Sequence, residues 1–170
     1  MAEIRMEMDE DIPVIGEIHR AAFDGETEPR LVEAIRKSDG FIPELSLVAE
    51  VDGKLVGHIL FSPITIETKA DPVPVLSLAP MGVLPEYQNQ GVGSELIRTG
   101  LSECQQLGHY VIIVVGHPKY YSRFGFVPAA KKGLKLSFDV PDEAFMVFEG
   151  ITGALDGVSG TVTYPPFFNE

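Results

Sequence analysis

The stretch from Val73 to Gly93 constrains this chain more than any other. Val73 to Val83 is apolar and reads as a strand, yet it carries Pro74 and Pro80. A proline cannot donate to a sheet ladder, so each marks an edge, a bulge or a place where the backbone leaves its neighbour. Past Pro85 comes a turn with Gly91 and Gly93 one residue apart. Val92, Leu96, Ile97, Leu101, Cys104 and Leu107 then share one face of a helix that Gly108 stops. The start of such a helix has N–H groups without intrahelical partners and a partial positive charge, which suits phosphate. Two glycines there also serve a plain tight connection, and spacing alone leaves both readings open.

Two familiar phosphate turns do not fit. A P-loop needs a lysine after its last glycine, but Gly93 is followed by Ser94 and Glu95. A dinucleotide fingerprint needs a third glycine three residues on, where this chain has Leu96.

Around this segment the periodicity changes several times. Glu3 to Met8 alternates like a strand, and Asp9 or Asp11 is placed to cap a helix bearing Ile12, Ile15, Ile18 and Phe23. Glu26 or Thr27 opens a second helix striped with Leu31, Val32 and Ile35, and Gly40 closes that unit. Leu45 to Val51 and Leu55 to Ile66 flank Asp52-Gly53 and predict a hairpin. Val111 to Val115 predicts a buried strand, Pro118 to Arg123 a short helix, and Phe124 to Pro128 a turn into a strand. Ala144 to Phe148 and Val158 to Tyr164 predict further strands. Runs of strands with segregated helices imply an α+β sandwich around one mixed sheet, and 170 residues imply a single domain, 1–170.

The charge balance narrows the partners. A net charge of −12 argues against nucleic acid, whose binding draws on Lys and Arg clusters. Residues 117–135 reverse the sign locally with Lys119, Arg123, Lys131, Lys132 and Lys135, either a surface for a small anion or a solvated loop. One cysteine, Cys104, allows no intramolecular disulfide, and it reads as core. His19, His58, His109 and His117 show no ligand spacing, so no metal is expected. No run approaches the roughly 20 apolar residues of a membrane span, and Met1 to Met8 lacks the pattern of a signal peptide. No membrane partner and a cytoplasmic location are therefore expected.

Gln88-x-x-Gly91-x-Gly93, preceded by Val83-Leu84-Pro85, resembles the Arg/Gln-x-x-Gly-x-Gly/Ala motif of the GNAT acyltransferase superfamily. Pro118 to Phe126, with Tyr121 ahead of Phe124-Gly125-Phe126, resembles the element that follows the fifth strand in that family. The element order is similar to the family's over residues 1 to about 128; the tail is similar in outline to small predicted N-acetyltransferases. The resemblance implies a mixed, mostly antiparallel sheet splayed between its fourth and fifth strands, with helices on both faces. It implies acetyl-CoA as co-substrate and a small-molecule or peptide amine as acceptor, and it is compatible with a homodimer. Residues Met81, Gly82 and Val83 would follow the pantetheine arm, and the turn of Gln88, Asn89, Gln90, Gly91, Val92, Gly93 and Ser94 would hold the pyrophosphate. Tyr121 falls at the position of the acid that protonates the departing thiolate, with Tyr120 as the competing donor.

The base is less legible. A lysine-like amine is neutral in only roughly one molecule in a few thousand at pH 7, so its proton needs an acceptor. Some family members place a glutamate on the fourth strand, but Val73 to Val83 has no carboxylate. Glu26, Glu28, His117 and a water chain remain as candidates. A non-catalytic acyl-CoA binding module is the alternative reading, and a nucleotide-phosphate binder a third.

Overall fold

The computed structural model describes residues 2–169. Its strands are β1 (Glu3–Met6), β2 (Ser46–Val51), β3 (Lys54–Glu67), β4 (Val73–Val83), β5 (Val111–Val115), β6 (Val127–Pro128), β7 (Leu134–Leu136), β8 (Phe145–Glu149) and β9 (Gly160–Thr163). The helices are α1 (Ile12–Phe23), α2 (Thr27–Lys37), α3 (Val92–Gln106) and the single turn α4 (Pro118–Tyr121). Among the described residues the strands form one sheet ordered β1-β2-β3-β4-β5-β8-β6, with β9 also pairing β3 and β7. β4 pairs β5 in parallel at Leu76–Ile112 and Ser77–Ile113, and β7 pairs β9 in parallel. β1–β2, β2–β3, β3–β9, β5–β8 and β6–β8 are antiparallel. This is an α+β architecture around one mixed sheet.

The Cα framework groups into two compact units. One comprises Met1–Ser62, Ala79–Glu103 and Pro166–Glu170, and the other Pro63–Leu78 and Cys104–Pro165.

In the first unit β2 and β3 form a tight hairpin. Asp52 and Gly53 both take positive φ, 50° and 79°, the type I′ geometry whose twist matches the strands. Alternation on β3 then decides which helices it meets. Leu60 packs with Ile15 of α1, Val32 and Ile35 of α2 and Val48 of β2. On the opposite face, a Cβ on Gly57 would stand 3.0 Å from Leu96 of α3, and one on Gly100 of α3 would stand 2.3 Å from the Phe61 ring. Thus α1 and α2 cover one side of β3 and α3 the other. The second unit has its own core, with Ile64, Ile66, Val75, Ile113, Phe145, Val147 and Val162 buried together.

Local differences from the sequence reading have physical causes. Neither Asp9 nor Asp11 caps α1 with its side chain. The Asp11 carboxylate instead takes both guanidinium nitrogens of Arg5, at 2.7 and 3.2 Å, and the Met8 amide at 2.7 Å. α2 stops at Lys37, ahead of Gly40. Pro85–Tyr87 is a short 3-10 turn, and α3 begins at Val92, the first residue of the apolar stripe. β7 was not anticipated, because three residues are too short to show a period. Pro80 does lie within β4, preceded by a cis peptide bond. Among the described residues no helix is long and apolar enough to cross a membrane.

Asp11 is 5% exposed, and its hydrogen bond to Arg5 holds its carboxyl below the usual carboxylate range. A carboxyl with a depressed folded pKa stabilises the fold above its unfolded value of about 4, and that contribution fades as the pH falls through the folded value. Asp11→Asn should therefore cost about 1–3 kcal/mol in urea unfolding at pH 7. The gap from wild type should hold constant above about pH 5 and narrow below about pH 4.

Candidate active site

The turn after β4 is assembled by side chains reaching back to the backbone. Gln88 Nε2 donates to the Val83 carbonyl at 2.9 Å, and Gln90 Nε2 donates to the Glu86 carbonyl at 2.9 Å. Leu84 N donates to Val56 O at 2.8 Å, which anchors the end of β4 beside β3. Asn89 and Gly91 have φ of 62° and 89°, left-handed values that suit asparagine and glycine and turn the chain sharply. The first hydrogen bond of α3 runs from Glu95 N to Gly91 O at 3.0 Å. The amides of Val92 and Gly93 thus precede the helical ladder, at the positive end of a four-turn helix. Gln88 to Gly91 are solvent-facing and Val92 is buried, so the turn is accessible while α3 is anchored.

Tyr121 lies in the second unit, at the end of α4. Its ring edge rests on Gly116, where an added Cβ would fall 2.5 Å from Cε2. Phe126 meets the ring edge-on, with centroids 5.6 Å apart, and Tyr120 does so at 5.2 Å. Burial first, and then Tyr120, push the Tyr121 phenol up to about 12. Tyr120 instead has the Arg123 guanidinium 4.7 Å above its ring. Tyr120 also meets Phe124 edge-on at 5.2 Å, so both rings are held by aromatic packing.

The bases singled out from sequence have other local settings. Glu26 is half-exposed and ion-paired with Arg20 at 2.6 Å. It lines a cleft of about 520 Å³ between α1 and α2 with Glu17, Arg30 and Arg36, and no residue of 81–94 reaches that cleft. Glu28 sits in the first turn of α2. His117 is exposed at the start of α4, where its carbonyl accepts from the Tyr120 and Tyr121 amides.

A different histidine, His19, reaches β4. His19 on α1 and His58 on β3 are both fully buried, with His19 Nε2 2.8 Å from His58 Nδ1. His58 Nε2 lies 2.8 Å from Ser46 Oγ, and Ser46 Oγ donates to Glu7 Oε1. Arg36 holds both oxygens of Glu7, at 2.7 and 3.1 Å. At the other end His19 Nδ1 has no hydrogen-bond partner among the described residues, and a Cβ added to Gly82 would stand 2.7 Å from it. Two signals pointed here. His19 continues the Ile15 side of α1 one turn on, and His58 shares its β3 face with Val56 and Leu60, so both point into the core. Burial alone does not join them. Contacts 39 and 12 residues apart do.

Comparisons with known proteins define the family. The family model described as an acetyltransferase (GNAT) domain matches residues 3–129. The uncharacterized N-acetyltransferase YjhQ of Escherichia coli K12 is 40% identical over 134 residues, 78% of this chain and 74% of that protein. The uncharacterized N-acetyltransferase YhbS of the same strain is 35% identical over 168 residues, 98% of each chain. The crystal structure of Escherichia coli YhbS in complex with CoA superposes with a TM-score of 0.91 at 32% identity, covering 99% of this chain and 92% of that one. A GNAT family acetyltransferase from Brucella melitensis in complex with acetyl-CoA gives 0.78 at 31% identity, covering 99% and 98%. The chain belongs to the GNAT acetyltransferase family. It is an acyl-CoA-dependent N-acyltransferase, and the non-catalytic module therefore gives way.

The contact between His19 and Gly82 has a measurable consequence. Gly82→Ala should destabilise the protein by about 1–3 kcal/mol, because the new methyl overlaps the imidazole. Adding His19→Ala should recover part of that loss, giving a positive coupling in a double-mutant cycle of urea unfolding.

Proposed function

We propose that the protein acetylates a primary amine by direct attack on acetyl-CoA in a ternary complex within a single catalytic domain, 1–170, in the cytoplasm. The observation that carries this reading is the turn after β4, with its accessible left-handed bend and its amides ahead of the α3 ladder. Amides so placed suit a diphosphate, which needs donors and positive potential and no particular side chain. CoA and acetyl-CoA bound to the two similar structures support the same use of the turn here. Gln88 to Ser94 would hold the pyrophosphate, and Met81, Gly82 and Val83 would run beside the pantetheine arm. The Gln88 clamp on the Val83 carbonyl fixes the orientation of the peptides there. An N–H near Val83, so fixed, would stabilise the tetrahedral oxyanion, a role that contributes a few kcal/mol in acyl transfer.

Tyr121 is the proposed acid. With its phenol pushed up to about 12, it keeps its proton throughout the neutral range. A donor must hold its proton until the thiolate, of pKa about 8.5, begins to leave. Its raised value also predicts the pH behaviour. The protonated form persists until the pH nears 12, so kcat should show no alkaline loss from this group up to about pH 10. The charge of −12 favours a cationic acceptor, drawn in by the field of the whole protein.

Calorimetry with acetyl-CoA and thiol release with a panel of primary amines test the reading. Wild type should bind acetyl-CoA and release thiol with at least one amine. Tyr121→Phe should lower kcat by roughly 100-fold or more at little change in acetyl-CoA affinity. Gly91→Val should weaken acetyl-CoA binding by at least about ten-fold, since valine resists positive φ. A wild type that binds no acetyl-CoA, or that binds it and releases no thiol with any amine, overturns the proposal.

A further inference from the structure

The buried chain from Glu7 to His19 has a direction that follows from hydrogen-bond chemistry alone. A carboxylate accepts and never donates, so the bond between Ser46 and Glu7 uses the serine proton. That hydroxyl has no second proton, so Ser46 Oγ must accept from His58 Nε2 across their 2.8 Å contact. A neutral imidazole has one N–H, so His58 Nδ1 is a lone pair and the 2.8 Å contact to His19 is donated by His19 Nε2. His19 Nδ1 is therefore also a lone pair. It is the one unpartnered polar atom of the relay, fully buried and directed at Gly82.

A lone pair buried without a donor costs about 1–3 kcal/mol, which a purely structural histidine has no reason to bear. The position is also specific. Gly82 sits between Met81 and Val83, the segment assigned above to the pantetheine arm, and its missing side chain lets the imidazole approach the strand. Phe23, 43% exposed, stacks on the ring with centroids 5.9 Å apart.

We propose that His19 Nδ1 takes the proton from the acceptor amine, with His58, Ser46 and Glu7 relaying a proton away from it. The inference rests on the thioester lying beside Met81 to Val83. The N–H bond of the ammonium breaks and a bond to His19 Nδ1 forms. His19 Nε2 passes its proton to His58 Nδ1, His58 Nε2 passes its own to Ser46 Oγ, and Ser46 Oγ gives its original proton to Glu7 Oε1. The amine keeps the electron pair and attacks the thioester carbonyl. The net change is one proton moved from the ammonium to the Glu7 carboxylate, and the reverse shift returns it to solvent once the products leave. His58, Ser46 and Glu7 act through His19 and are positioning residues.

Burial disfavours charge on either ring, so the proton must pass through both without resting on one. Burial first, then Arg36, pushes His19 down to about 4. Burial, His19 and Arg36 push His58 well below its ordinary value. Both rings are thus neutral at pH 7, and an imidazolium is unfavourable at either. Among the described residues the charged groups reaching the pair are Glu7, after β1, and Arg36, on α2; α1 adds the Phe23 ring and β4 only Gly82.

The test compares wild type with His19→Gln, Ser46→Ala and Ser46→Thr against two acceptor classes at pH 7, alkylamines that are protonated and hydroxylamine, which is neutral. His19→Gln should bind acetyl-CoA within about two-fold of wild type, yet lose roughly 100-fold or more in kcat with alkylamines and much less with hydroxylamine. Ser46→Ala should show the same selectivity, and Ser46→Thr should restore the alkylamine rate. If His19→Gln does not fold, the serine pair carries the comparison. Equal losses for both nucleophiles, or unchanged kcat, would mean a packing role and overturn the inference while leaving the parent reading intact. A wild type that fails to bind acetyl-CoA, or to transfer from it, removes the parent reading itself. Imidazole 15N shifts give a check independent of any acceptor: His19 should be protonated at Nε2, and a proton on Nδ1 in the free enzyme sinks the relay.

Discussion

The carboxylate of Glu7 is the anchor on which the first unit is organised. It follows β1, is held at both oxygens by Arg36 of α2, and accepts from Ser46 at the start of β2. Through Ser46 it orients His58 of β3, and through His58 it orients His19 of α1 over Gly82 of β4. Every one of those groups is buried or nearly so. Breaking the chain at one point would leave a polar atom without water or partner, at about 1–3 kcal/mol. A network with a carboxylate at one end has a single consistent arrangement of protons, so it fixes tautomers as well as positions. The apolar contacts of Ile15, Val32, Ile35, Val48 and Leu60 supply the burial that makes this arrangement strict.

Where residues close in sequence decide the geometry, the sequence was a good guide. β4 and β5 have the bounds that their apolar runs suggested, and the Asp52-Gly53 turn has the positive φ values that such a dipeptide supplies. The glycine turn was legible for the same reason: Gly91, Asn89 and the start of α3 lie within a few residues of each other. What failed locally failed because a distant partner won. Asp11 was available to cap α1, but Arg5 and Glu50 form a cluster across β1 and β2 that draws the carboxylate away from the helix end. β7 takes its identity from β9, some 25 residues later, and nothing within Leu134–Leu136 announces it.

The site divides along the same line. The turn proposed to hold the diphosphate and the Tyr121 element are short motifs of contiguous residues. The base was sought among residues that look reactive in isolation: Glu26 and Glu28 between the first helices, and His117 after the fifth strand. Glu26 is spoken for by Arg20, and His117 lends its backbone to α4. His19 and His58 lack metal-ligand spacing, and nothing in their local sequence marks them as reactive. Their relation runs through the sheet, between residues that share only a burial pattern. Counting polar residues on apolar faces would have raised both, since His19 follows Ile15 and Ile18 while His58 lies amid Val56, Ile59 and Leu60.

An amine acceptor makes two opposed demands on such an enzyme, and the charge distribution of this chain answers them separately. A cationic amine is attracted by a protein of net charge −12, which raises its local concentration but also stabilises its protonated, unreactive form. A surface carboxylate close to the thioester would share that defect. A neutral imidazole does not hold the ammonium by charge, and its buried setting, with Arg36 behind Glu7, disfavours a cation nearby. An ammonium brought against His19 would therefore be pressed to release its proton. The relay gives that proton a negative group to reach, beyond two rings and a hydroxyl. Attraction at long range and deprotonation at short range thus come from different parts of the molecule, which the missing carboxylate on β4 had left unexplained.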